Sequence, residues 1–131
     1  MGKTCASAIL DVALQYIEDN VDRISVCEGE PTTYEHATST KGVATGKKLA
    51  MSSTPTFTGP APGDGGGSSR KTAVDQEATI TVDASGNGDH VALCKSGTSA
   101  LLYVTTCTLQ ALTNGNTVTI PAWDIEIGTP T

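Results

Sequence analysis

A chain of 131 residues carrying a net charge of −6 and a pI near 4.6 repels phosphate backbones, so no nucleic-acid partner is expected. The length sets the expectation of a single domain over 1–131, able to bury a core without needing a metal or a disulfide. No stretch approaches the roughly 18 apolar residues that span a bilayer, so no membrane partner is expected either.

The opening, MGKTCASAILDVALQYIEDN, is unlike a signal peptide. Asp11, Gln15, Glu18 and Asp19 interrupt its apolar run, and its basic region is Lys3 alone. Synthesis in a cytoplasm is the expectation. Gly2 and Cys5 match part of a myristoylation pattern, but Ala6 stands where Ser or Thr is required.

Composition points to sheet. Hydrophobic residues make up 37% and aromatic residues 4%, while threonine occurs 21 times; threonine suits exposed sheet surface. The spacing predicts one helix over 4–20. Leu10, Leu14 and Ile17 make a stripe, Ile9, Ala13 and Tyr16 broaden it, Thr4 or Ser7 caps its start, and Asn20 stops it. First strands follow over 21–53. RISVCE (23–28) alternates, 30–41 is a polar loop, and a second strand is expected within 43–52, where GKKLAMSS sets Leu49 and Met51 on one face.

Residues 54–70, TPTFTGPAPGDGGGSSR, hold three prolines and then a glycine run. They are predicted as a loop or hinge with no regular element. The main antiparallel sheet is expected over 71–128. A long strand over 72–83 turns Ala78, Ile80 and Val82 one way. Ser85 to Asp89 is a turn, and a strand returns over 90–95. Lys95 to Thr98 turns again before ALLYVTTC (100–107), and Asn114-Gly115-Asn116 turns once more. In the closing run, TVTIPAWDIEI, Val118 and Ile120 face inward, then Trp123, Ile125 and Ile127 after a bend at Pro121. The fold class expected is mainly β: a sandwich or jelly-roll-like domain of about 6–7 strands with one N-terminal α-helix.

Nothing in the residues assembles an active site. His36 lies beside Glu35 and His90 beside Asp89, and neither shares a local motif with a cysteine. DASGNGD lacks the ligand spacing of a calcium loop, and PGDGGGSSR lacks the lysine of a phosphate loop. No enzyme activity, cofactor or metal is expected. Cys5, Cys27, Cys94 and Cys107 form no CxxC pair, which disfavours zinc and thioredoxin-type chemistry. They are either buried small hydrophobes or candidates for a disulfide in an oxidising setting, with three pairings open. Cys94 and Cys107 fall in adjacent predicted strands, and Cys5 is equally placed for an intermolecular bridge.

The layout resembles small virion proteins of tailed bacteriophages encoded among head and neck genes. The residues that carry the resemblance are ASAILDVALQYI, ISVCEGEPTTY, GKKLAMSS and the half running from GDHVAL through LLYVTT to LTNGNTVTIPAWDIEI. It covers most of the chain, and its motifs are structural rather than catalytic. It implies a non-enzymatic, symmetric multimer found in the virion after assembly in the host cytoplasm. That multimer would act as a capsid decoration (cement) protein or a neck, collar or fibre-anchoring protein. Its partners would be the major capsid protein or neck proteins. The contact surfaces expected are the helix (Ile9, Leu10, Tyr16), the 54–70 segment (Phe57, Asp64) and exposed strand edges. Thiols that met during assembly could then oxidise into cross-links. A carbohydrate or cell-surface binding module is the alternative from another class, disfavoured by the low aromatic count.

Overall fold

The computed structural model describes residues 6–39 and 46–128. In chain order these form α1 (Ser7–Asn20), β1 (Arg23–Glu28), α2 (Tyr34–Thr38), β2 (Lys47–Ser52) and β3 (Phe57–Pro62). There follow β4 (Arg70–Val74), β5 (Glu77–Thr81), β6 (Gly86–Lys95), a 3-10 turn (Ser96–Thr98), β7 (Ala100–Leu112), β8 (Thr117–Ile120) and β9 (Trp123–Ile127). The protein is therefore mainly β, with antiparallel sheets and an N-terminal helix. The chain divides into two compact units. The first comprises Met1–Asn20, Thr56–Gln76 and Pro121–Thr131; the second comprises Val21–Pro55 and Glu77–Ile120.

Unit 1 is α1 on a three-stranded antiparallel sheet of order β3-β4-β9. Alternation along β4 sets its two faces. Thr72 and Val74 are buried, and Ile125 of β9, paired with Thr72, is buried beside them. From α1 come Leu10 and Leu14. A fully buried leucine stabilises by roughly 1.5–3 kcal/mol. The other face of β4 presents Lys71. The inward set Trp123, Ile125 and Ile127 is as expected, each paired across to Val74, Thr72 and Arg70.

Unit 2 carries a four-stranded antiparallel sheet of order β2-β1-β6-β7 and a two-stranded one, β5-β8. The bridge Ala50–Val82 links the two. β1 lies inside the larger sheet and is buried on both faces, which explains four consecutive buried residues, Ile24 to Cys27. On one face Cys27, Ala92 and Cys94 pack with Ala37 of α2, flanked by Tyr34, Leu101 and Val104. Ile24, Val26, Val91 and Leu93 alternate to the other face and are also buried.

Nine strands stand among the described residues against the 6–7 expected, and four segments need correction. Residues 30–41 are not wholly loop: Thr33 caps α2, its side chain accepting from the His36 N–H at 3.1 Å. Residues 54–70 hold a strand after all. β3 is an edge strand, where prolines cost no ladder bond, and it pairs with β4 on both sides of an irregularity at Thr58/Ala61. The long strand over 72–83 is two strands in different sheets, β4 and β5, parted at Asp75-Gln76. Ser85 to Asp89 is mostly the start of β6 rather than a turn. There the glycines allow close packing: a Cβ on Gly88 would meet Val26 Cγ1 at 2.7 Å. Gly46 serves a different need, with φ +82° and Pro31 Cα only 2.7 Å from where its Cβ would stand.

Candidate functional site

Unit 1 is tied together by charge. Arg70 Nε and Nη2 donate to Asp11 Oδ1 and Oδ2 at 2.6 and 3.2 Å, a two-pronged grip of strand on helix. Thr72 Oγ1 donates to Glu18 Oε1 at 2.5 Å. On the far face Lys71 Nζ reaches Asp64 at 3.0 Å and Asp124 at 3.3 Å. Hydrogen bonds to Asp64 and then Asp124 hold the Lys71 pKa above its ordinary value. Glu126 Oε1 accepts from the Gly65 N–H at 2.8 Å, which closes the glycine-rich turn onto β9. Asp64, expected as a contact residue, is thus exposed but already engaged. Phe57 is half-buried opposite Val74.

The helix separates the remaining expected contact residues. Leu10 points inward and is buried. Ile9 and Tyr16 point outward, 64% and 53% exposed, with Val12 between them at 70%. The broad buried stripe expected of α1 is therefore two stripes: Leu10 and Leu14 fill the core, and Ile9, Val12 and Tyr16 are left open. Spacings of i, i+3 and i+7 put these three on one side of the helix. Val12 escaped the sequence reading because the stripe was assigned to a single face. Its own spacing from Ile9 was the available signal.

In unit 2 the thiols and histidines are in hand. His90 Nδ1 lies 2.8 Å from Asp89 Oδ1, and His36 Nδ1 lies 3.2 Å from Thr32 Oγ1. The contact with His90, and then the Gly29 N–H at 2.9 Å, hold the Asp89 carboxyl below its ordinary pKa. Cys27 sits beside His90 in the β1–β6 register. Burial, reinforced by the neighbouring Cys94 and Asp89, pushes its thiol up to about 12, and burial pushes Cys94 up to about 11. Neither can supply a thiolate at neutral pH. Cys27, Cys94 and Cys107 are free thiols. The bridge considered between Cys94 and Cys107 is not formed: register sets Leu101 opposite Cys94, with Cys107 six residues further along β7. Cys5 lies outside the described residues. Among the described residues no cluster of three or more His, Cys, Asp or Glu could hold a metal ion. No helix among them is long and apolar enough to cross a membrane.

The open surface of unit 2 is β7. This 13-residue strand ends the sheet order and is exposed over 106–111, where Leu109 is 59% exposed. Beside its far end opens a cleft of about 320 Å³ lined by Val82, Gln110, Leu112, Asn116 and Val118. The sequence reading stopped this strand at Cys107 and so missed Leu109 and Gln110.

No family model matches the chain, and no curated protein or solved structure matches it.

Proposed function

We propose that the chain is a structural virion protein of a tailed bacteriophage, decorating and cementing the head as a symmetric multimer bound to the major capsid protein. One observation carries the reading: Ile9, Val12 and Tyr16 stand 53–70% exposed along one side of α1. Three large apolar side chains in a row on a short helix gain by burial against a partner. The sequence resemblance supplies the setting. In this reading the fold is of the sandwich or jelly-roll-like class, which the antiparallel pairing of the strands supports.

The test is a copy count by quantitative mass spectrometry on virions purified from the phage that encodes the chain. Hundreds of copies per particle is the expected result. About 6 to 18 copies, the range set by closed rings, would move the protein to the neck or collar. Zero copies would end the virion reading.

A further inference from the structure

Asparagine followed by glycine is chemically labile. Glycine sets no side chain in the way of its own backbone nitrogen as that nitrogen closes on the asparagine side-chain carbonyl. Two of the four asparagines have glycine next in the chain, Asn87-Gly88 and Asn114-Gly115. Asn20 and Asn116 precede the β-branched Val21 and Thr117, which crowd the nitrogen. The fold treats the two Asn-Gly pairs in opposite ways.

Asn87-Gly88 lies inside β6, with Asn87 paired to Ala111 and Gly88 to Gln110 of β7. The Asn87 N–H also donates to Glu28 Oε2 at 2.6 Å. Gly88 is buried, with Val26 Cγ1 2.7 Å from where a Cβ would stand. Ring closure there must swing a peptide unit out of a paired and packed strand. Asn114-Gly115 instead forms the turn between β7 and β8, and residues Thr113 to Thr117 are all exposed. At Gly115, with φ +89°, nothing stands within 4 Å of where a Cβ would be. The Asn114 N–H donates to Ser85 Oγ at 2.9 Å, while its side-chain amide makes no hydrogen bond among the described residues. One bond restrains the attacking nitrogen, from the Gly115 N–H to the Val82 carbonyl at 2.9 Å. It lies at the surface, where local opening breaks and remakes such bonds.

We propose that Asn114 is a site of self-modification, converting without an enzyme to aspartate and isoaspartate, while the fold shields Asn87. The Gly115 nitrogen attacks Asn114 Cγ. The N–Cγ bond forms, the Cγ–Nδ2 bond breaks, and Nδ2 leaves as ammonia with the proton lost by the Gly115 nitrogen. Water then opens the five-membered imide at either carbonyl, and neither step is a redox step. Either product adds one negative charge to the net −6. In isoaspartate the backbone runs through the side-chain carbonyl, so the turn between β7 and β8 gains one methylene. While the imide lasts, Gly115 has no N–H to give to Val82, so the reaction also loosens the contact that docks the turn.

Peptide mass mapping of the full-length chain, after incubation in mildly alkaline buffer, tests this. Cleavage after Lys95 puts Asn87 and Asn114 on different peptides. In the folded chain the Asn114 peptide should gain one mass unit at least about tenfold faster than the Asn87 peptide, a barrier difference of about 1.4 kcal/mol. In urea the two rates should converge, because the fold no longer distinguishes the two pairs. Fragment spectra should place the change at Asn114 rather than Asn116, and Asn114→Gln should abolish it. Equal rates in the folded chain, a folded-chain Asn114 as inert as Asn87, or a gain traced to Asn116 overturns the proposal. The wild-type comparison of folded with unfolded chain stands whether or not the variant folds. Virion copy number has no bearing on it, so the function proposed above and this site fail separately.

Discussion

The two units are held by different means. In unit 1 the strand β4 is fastened to α1 through Arg70–Asp11 and Thr72–Glu18, with Leu10, Leu14, Val74 and Ile125 as its buried apolar complement. Unit 2 places β1 and β6 at the middle of a sheet with Ile24, Val26, Leu93 and Leu49 buried on its strands, and its charged groups serve the margins. There Asp22 accepts from the Ser96 N–H and Oγ–H at 2.8 and 2.6 Å, and Lys48 meets Asp83 at 2.8 Å. A helix on a small sheet buries little, so directed polar bonds fix its position. A strand covered on both faces needs no such help.

The contrast can be broken at its strongest point first. Leu93→Ala should cost about 2–5 kcal/mol in urea unfolding, because Leu93 is fully buried on a central strand and the cavity left cannot collapse. A smaller loss is expected from Arg70→Met, about 1–2 kcal/mol by the same measurement. That is the low side for a charge-assisted bond, because Asp11 keeps 33% of its side-chain surface exposed. Ser25→Ala should be neutral or stabilising by up to about 1 kcal/mol, since the buried Ser25 Oγ has no hydrogen-bond partner among the described residues. A clear destabilisation there would show that the hydroxyl is satisfied in solution.

The smallest effects are those of pH, and they have opposite signs. The Ser96 hydroxyl and N–H, helped by Arg23, hold Asp22 below the ordinary carboxylate pKa, and His90 and Gly29 do so for Asp89. A carboxyl whose folded pKa is depressed stabilises above its unfolded value and loses that contribution as pH falls through the folded one. Lys71 is raised, so its contribution is present below the ordinary lysine pKa and fades as pH climbs through the folded value. Acid should therefore loosen unit 2, whereas alkali should loosen both units, because the buried thiols of Cys27 and Cys94 in unit 2, raised to about 12 and 11, also lose their contribution as pH climbs. Thermal unfolding across pH should show it, with Asp22→Asn flattening part of the acid limb. The effects of Asp22, Asp89 and Lys71 should be modest because these are largely solvated groups.

How much of this was legible beforehand depends on whether the cause was local. β1 was read at its full extent, because RISVCE is bounded by its own signals and ends at Gly29. The bend at Pro121 was legible because proline carries its restriction with it. β3 was missed for the same reason: Pro60 and Pro62 forbid a central strand, and nothing local says that 57–62 lies at an edge. The run over 72–83 was read as one strand because Asp75-Gln76 carries no glycine or proline; only pairing to different partners divides it. SGNGD looked like a turn because glycine is ambiguous. At Gly88 it makes room for Val26, a residue 62 positions away in sequence. Of the candidate surfaces, the helix face was half legible. Periodicity gave the apolar positions but not which of two stripes the sheet would cover.

The way the units are threaded also bears on synthesis. Unit 1 contains α1 and β9 at opposite ends of the described chain, while unit 2 takes its last strand, β8, from residues made earlier than β9. During vectorial translation every segment of unit 2 has emerged before unit 1 can close. Until β9 arrives, α1 and the β3–β4 hairpin wait without their third strand, and the outer edge of β4 is open. Of the described elements the helix is thus the first made, but the unit that holds it is the last to be completed.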